Sequence, residues 1–85
     1  MNREEMIELA AKLLKLTIDD AHRYGEYLPE EDALYVSVPE KGGASLLVAN
    51  DGTVLYANSS VHYDIHLREF RNGRRTPIDA FGQRV

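Results

Sequence analysis

Apolar residues near the start of the chain recur at intervals of three and four. Met6, Leu9, Ala10, Leu13 and Leu16 lie on one side of a helical wheel, and Ile7, Ala11, Leu14 and Ile18 widen that stripe. Asn2 stands before it with Glu5 three residues on, the spacing of a capping box. Glu4, Glu5 and Glu8 fall early and Lys12 and Lys15 late, as the helix dipole prefers. The pattern predicts a helix that runs to Tyr24, with a break admitted at 17–19 and Gly25 as its C-cap.

Residues 26–32 hold a proline and four carboxylates and read as a loop. From residue 33 the period changes to two. Residues 33–38 alternate and are ended by Pro39, residues 44–49 are apolar on both faces, and residues 53–57 are β-branched and aromatic. Glu40, Lys41, Gly42 and Gly43 make a hairpin loop, and Asn50-Asp51-Gly52 is a tight-turn signal. The expected sheet is therefore a three-stranded antiparallel meander with the middle strand central. A two-residue turn at Asp51 and Gly52 sets Val48 opposite Leu55 and Leu46 opposite Ala57 on one face. The other face then carries Leu47, Ala49, Val54 and Tyr56, joined by Tyr35. Both faces are apolar. Either each takes one helix, or both helices share one face and the second face binds something else.

Asn58, Ser59 and Ser60 offer caps for a second helix over 61–72, with Ile65, Leu67 and Phe70 as its apolar side and Gly73 as its C-cap. Residues 74–85 read as an irregular, flexible tail from which Ile78 and Phe81 dock on the body. The expected fold class is α+β: an N-terminal helix, the three-stranded meander, then a short C-terminal helix and tail.

Composition narrows the function classes. The 85 residues suffice for one small domain spanning 1–85. The net charge of −4 argues against a nucleic-acid module acting through bulk positive charge. The absence of Cys excludes a disulfide framework, a thiolate metal site and a thiol nucleophile. No run of apolar residues is long enough for a membrane span, and the first residues lack the apolar stretch of a secretory leader, so the cytoplasm is the expected compartment.

Candidate chemistry is sparse. His62 and His66 are four apart, and Glu69 falls on nearly the same side, a set that suits zinc or iron, with His22 the only further histidine. Tyr63 stands where a His-Glu-x-x-His motif needs its Glu, so the expectation is neither metal nor cofactor. Ser59 and Ser60 read as caps rather than nucleophiles, and Gly42-Gly43 lacks the Lys-Ser/Thr of a phosphate loop. No enzyme is expected.

Charge distribution says more. Residues 1–40 hold ten acidic and four basic side chains, whereas 61–85 hold five arginines (Arg68, Arg71, Arg74, Arg75 and Arg84) and three acids. The densest acidic stretch is Glu26, Glu30, Glu31 and Asp32, which would steer a basic protein partner. The expected partner-binding residues are Tyr27, Glu30, Glu31 and Asp32, with Tyr35 and Tyr56 as aromatic anchors.

The strand–turn–strand of residues 45–55 (Ser-Leu-Leu-Val-Ala-Asn-Asp-Gly-Thr-Val-Leu) resembles that of small bacterial immunity proteins encoded beside polymorphic toxins, the immunity-35-like type, and the segment Phe70-Arg71-Asn72-Gly73-Arg74-Arg75-Thr76 is similar to one in short uncharacterised bacterial proteins. The resemblance implies a non-catalytic protein that binds a toxin domain and blocks its active surface. Two other classes stay open: a small acidic secretion or assembly chaperone acting as a homodimer through the sheet, and a metal-dependent enzyme or sensor built on His62, His66 and Glu69.

Overall fold

A computed structural model describes residues 1–39, 43–58 and 60–82. Helices α1 (Arg3–Leu14) and α2 (Ile18–Tyr24) precede strands β1 (Gly25–Leu28), β2 (Ala33–Ser37), β3 (Ser45–Ala49) and β4 (Val54–Ala57), followed by α3 (Tyr63–Arg71) and the single turn α4 (Asp79–Gly82). The class is α+β, but the sheet has four antiparallel strands in the order β1-β2-β3-β4, not three. The extra strand is the segment 25–28, expected as loop. It has no long apolar run, and only its pairing with β2, Tyr27 against Leu34 and Leu28 against Ala33, makes it a strand.

The capping box forms as expected. Asn2 Oδ1 accepts from the Glu5 amide at 2.8 Å, and Glu5 Oε1 accepts from the Asn2 amide at 2.9 Å. The long helix does break. Lys15 adopts a left-handed conformation (φ 58°), and the Leu16 amide donates back to the Ala11 carbonyl at 2.8 Å, closing α1 one turn early. Thr17 then caps α2 through its hydroxyl. Gly25 is not a left-handed cap: its backbone is extended (φ −91°) as it enters β1. It is glycine for a different reason, since a Cβ there would lie 2.6 Å from the Ala21 carbonyl oxygen.

The β3–β4 register differs by one residue from the expected one. The Ala49 amide donates to Thr53 O and the Gly52 amide to Ala49 O, with Gly52 at φ 88°. The loop is thus the three residues Asn50, Asp51 and Gly52 rather than two. Asp51 secures it by accepting from both the amide and the hydroxyl of Thr53. Leu47 therefore faces Leu55 and Leu46 faces Tyr56. One residue of slip turns every β4 side chain over, so Val54 and Tyr56 join Leu46 and Val48, while Leu55 and Ala57 join Leu47.

Each sheet face carries a helix layer. Met6, Ile7, Ala10 and Ala11 of α1 and Ala21 of α2 pack on Leu34, Val36, Leu46, Val48 and Val54. On the opposite face Phe70 of α3 packs with Leu28, Ala33, Leu47 and Ala49. The N-cap of α3 is His62, which makes no side-chain capping bond. The expected capping segment does otherwise: Asn58 accepts from the amide and hydroxyl of Ser60, forming its own turn, and Ser59 lies outside the described residues. At the far end Gly73 (φ 92°) and Arg74 close α3 by donating to Phe70 O and Glu69 O, a Schellman arrangement. Beyond it the chain is not irregular throughout. The Thr76 amide donates to Val54 O at 2.7 Å, its hydroxyl accepts from the Tyr56 amide, and Phe81 of α4 meets Tyr56 edge-on. Ile78 remains exposed. The hairpin-loop residues 40–42, and Arg84 of the arginine set, lie outside the described residues.

Candidate functional site

The β1–β2 hairpin carries the acidic stretch, and the structure distributes its four carboxylates unequally. Asp32, at φ 48° in the turn, accepts from the Tyr27 hydroxyl and from Asn50 Nδ2 at 2.8 Å. Those bonds, Tyr27 first and Asn50 second, hold the Asp32 carboxyl below its ordinary range. The same bond to Asp32 raises the Tyr27 phenol. Arg3 of α1 lies 3.9 Å above the Tyr27 ring. Glu31 turns the other way: Arg71 of α3 places both Nε (2.7 Å) and Nη2 (2.6 Å) on its Oε2, and the Glu31 side chain is only 11% exposed. Asp32 and Glu31 are therefore structural latches, one to β1 and one to α3.

Glu30 and Glu26 remain outward. Glu30 is 86% exposed and stands 3.9 Å from Arg71. Glu26 is exposed and, among the described residues, in no ion pair. Glu26 projects on the α3 face, because its partner across β1–β2 is Tyr35. Tyr63, at the start of α3 and 44% exposed, sits edge-on to Tyr35 with ring centroids 4.8 Å apart. Partial burial raises the Tyr63 phenol, the charges of Glu26 and Glu31 raise it further, and Arg71 opposes them.

The six expected partner-binding residues do not form one surface. Tyr27, Glu30, Glu31 and Asp32 lie on or beside the hairpin. Tyr35 is half-buried beneath Tyr63 and donates toward Ser45 Oγ at 3.3 Å. Tyr56 is on the opposite face against Phe81, as the β4 register requires. The sequence marked Arg71 only as one of five arginines and Tyr63 only as the residue that interrupts a metal motif, and neither as part of the hairpin surface. The spacing of Arg71 after Phe70, at the last turn of an amphipathic helix, was the available signal for a latch; nothing local gave Tyr63 a place there.

The structure does not bring His62, His66 and Glu69 together. His66 is 2% exposed, and its Nε2 donates to the Leu55 carbonyl at 2.8 Å, while Nδ1 is buried without a partner. Burial lowers its pKa, and the bond to Leu55 O offsets this in part. Glu69 is held by Arg74 at 2.9 Å, and His62 is exposed at the helix start. His22 pairs with Glu4 on the far side of the sheet at 3.1 Å. Among the described residues no three His, Cys, Asp or Glu side chains converge as a metal would need.

Beside His66 a groove of about 420 Å³ opens between β4 and α3, floored by Leu55, Ala57, Val61 and Ile65 and edged by Arg68 and the Glu69–Arg74 pair. Among the described residues no helix is long and apolar enough to cross a membrane. No family model matches the chain, and neither a curated protein nor a solved structure does.

Proposed function

We propose that the chain is a non-catalytic protein-binding domain whose acidic hairpin receives a basic partner, and that in its most concrete form it is an immunity protein neutralising a toxin domain in the bacterial cytoplasm. The observation that carries this reading is the surface made by the hairpin and the start of α3, on which Glu26, Glu30 and Tyr63 are all exposed. Its two carboxylates project into solvent while the neighbouring Glu31 and Asp32 are consumed in holding the hairpin in place. Arg71 is matched by Glu31, so Glu26 and Glu30 leave this surface net negative, which favours a cationic partner: the charges raise the encounter rate, and an exposed ring accepts an arginine or lysine.

The test is co-expression with the protein encoded beside this chain. Growth should be rescued from that protein's toxicity, and the purified pair should form a complex that weakens with salt. Glu26→Lys together with Glu30→Lys should abolish the complex without unfolding the domain, since both side chains are solvent-facing. Rescue that survives this double reversal would show that the hairpin is not the contact surface.

A further inference from the structure

We infer that the basic partner docks by adding a strand to the outer edge of β1, an inference that rests on the reading above and specifies how the site is used. The ladder itself fixes which backbone groups are free. The Val38 amide donates to Ala44 O, so hydrogen-bonded pairs between β2 and β3 fall at Val36–Leu46 and Leu34–Val48. The amides and carbonyls of Tyr35 and Ala33 must then point to β1, where they pair with Glu26 and Leu28. The N–H and C=O of Tyr27 therefore point outward, away from β2. Among the described residues no group pairs with them, and β1 is an end strand of the sheet. The other edge is different: Thr76 already bonds to Val54 and Tyr56 along β4.

An unpaired edge is a template for an extended segment, and the side chains along this one state its chemistry. A residue of the added strand opposite Tyr27 exchanges hydrogen bonds with it. The next residue lies opposite Glu26 on the α3 face, where Tyr63 and Glu30 also stand. A lysine or arginine there meets a carboxylate directly across the ladder. Self-pairing in the register that engages the outward groups of both Gly25 and Tyr27 is opposed by charge. Antiparallel pairing of β1 with itself, with Gly25 bonded opposite Tyr27 of the copy, sets Glu26 against Glu26, two like charges in direct opposition. The occupant is therefore an extended basic segment with cations at alternate positions.

A parity-specific experiment tests this. A short synthetic peptide alternating lysine with threonine and valine is titrated into the intact domain while amide resonances are followed. The Tyr27 amide should become protected from exchange. N-methylating the threonine and valine amides, which face β1 when the lysines face Glu26, should weaken binding roughly tenfold or more. N-methylating the lysine amides, which point away, should leave it unchanged. Equal effects of the two methylation patterns would overturn strand addition while leaving the acidic patch as the contact. No binding by any of the peptides, or binding indifferent to Glu26→Lys, would overturn the underlying reading as well.

Discussion

On the α1–α2 side of the sheet, Leu34, Val36, Leu46, Val48 and Val54 meet Met6, Ile7, Ala10, Ala11 and Ala21, and every one of these residues is buried. On the α3 side, Phe70 is the one buried apolar residue that the helix contributes, packed on Leu28, Ala33, Leu47 and Ala49. Leu67 packs part-buried beside it and Tyr63 meets Tyr35 edge-on, and polar contacts complete the hold on that helix: His66 to Leu55 O, Arg71 to Glu31, and Arg75 bonded to Phe70 O with its guanidinium 3.9 Å above the Phe70 ring. The first face depends on apolar burial, which responds weakly to pH and salt. The second depends on charges and a titratable ring. The groove between β4 and α3 and the patch at Tyr63 both lie on this second face, where one helix covers a sheet that two helices cover on the other side.

Two substitutions in one strand compare the faces most directly. Leu46 and Leu47 are both fully buried, on opposite sides of β3. Leu46→Ala should cost about 3 kcal/mol in urea unfolding, because two helices and a continuous cluster leave little room to collapse. Leu47→Ala should cost less, about 2 kcal/mol, because α3 can settle toward the sheet. Equal costs would remove the distinction between a locked face and an adjustable one.

The next effect is a pH dependence confined to α3. The unfolded chain protonates His66 near 6.5, whereas burial lowers the folded value. As pH falls below 6.5 the unfolded state takes up a proton that the folded state resists. The stability contributed by the neutral ring is thus fully present above 6.5 and declines toward the folded pKa. Protonation would also place a hydrogen on Nδ1, which has no acceptor among the described residues. Once the intrinsic rate, which falls with pH, is divided out, the protection factors of α3 should therefore drop between pH 7.5 and 5 while those of α1 hold. His66→Leu should abolish that pH dependence, at a cost of roughly 1 kcal/mol at pH 7.5 for the lost bond to Leu55. A parallel drop in both helices would mean that the two faces open as one unit.

Arg71→Ala probes the latch between α3 and the hairpin. Arg71 is 53% exposed, so solvent screens the pair, and the expected cost is about 1 kcal/mol, shrinking at high salt. Because Glu31 is the more buried partner, the loss should appear as faster exchange in the 29–32 turn as well as at the end of α3.

These contrasts also show how far the sequence could be read. The capping box, strands β2 to β4, the Asn50–Gly52 turn and the Gly73 stop each rest on a local rule that nothing remote overrides. The β4 orientation did not, because Asp51 and Gly52 are compatible with loops of two or three residues, and the choice falls to the Asp51–Thr53 bonds. That one residue moved Tyr56 away from Tyr35 and divided the expected aromatic anchors between two faces. Strand β1 was hidden because Glu26 and Pro29 suit a loop, and its strand character comes from β2. Of the candidate site, the acidic hairpin was legible as a run of charges. Which of those carboxylates would be free was not, because Arg71 reaches Glu31 across 40 positions of sequence.

The smallest expected effect lies on the locked face, at the bend between its two helices. Lys15 is held at φ 58° and ψ 44°, left-handed backbone that a side chain tolerates at a cost of about 1–2 kcal/mol. Glycine removes that cost but loses more chain entropy on folding, roughly 0.5–1 kcal/mol. Lys15→Gly should therefore stabilise the domain by a few tenths of a kcal/mol up to about 1 kcal/mol, read as a rise in the urea midpoint at constant slope. Exchange in α1 and α2 should slow by the same free energy, and the sub-global opening of α3 should keep its rate. If α3 slows equally, its exchange proceeds through global unfolding and the polar face has no opening of its own. If the substitution destabilises, the Lys15 stem contributes packing at this bend that outweighs its backbone strain.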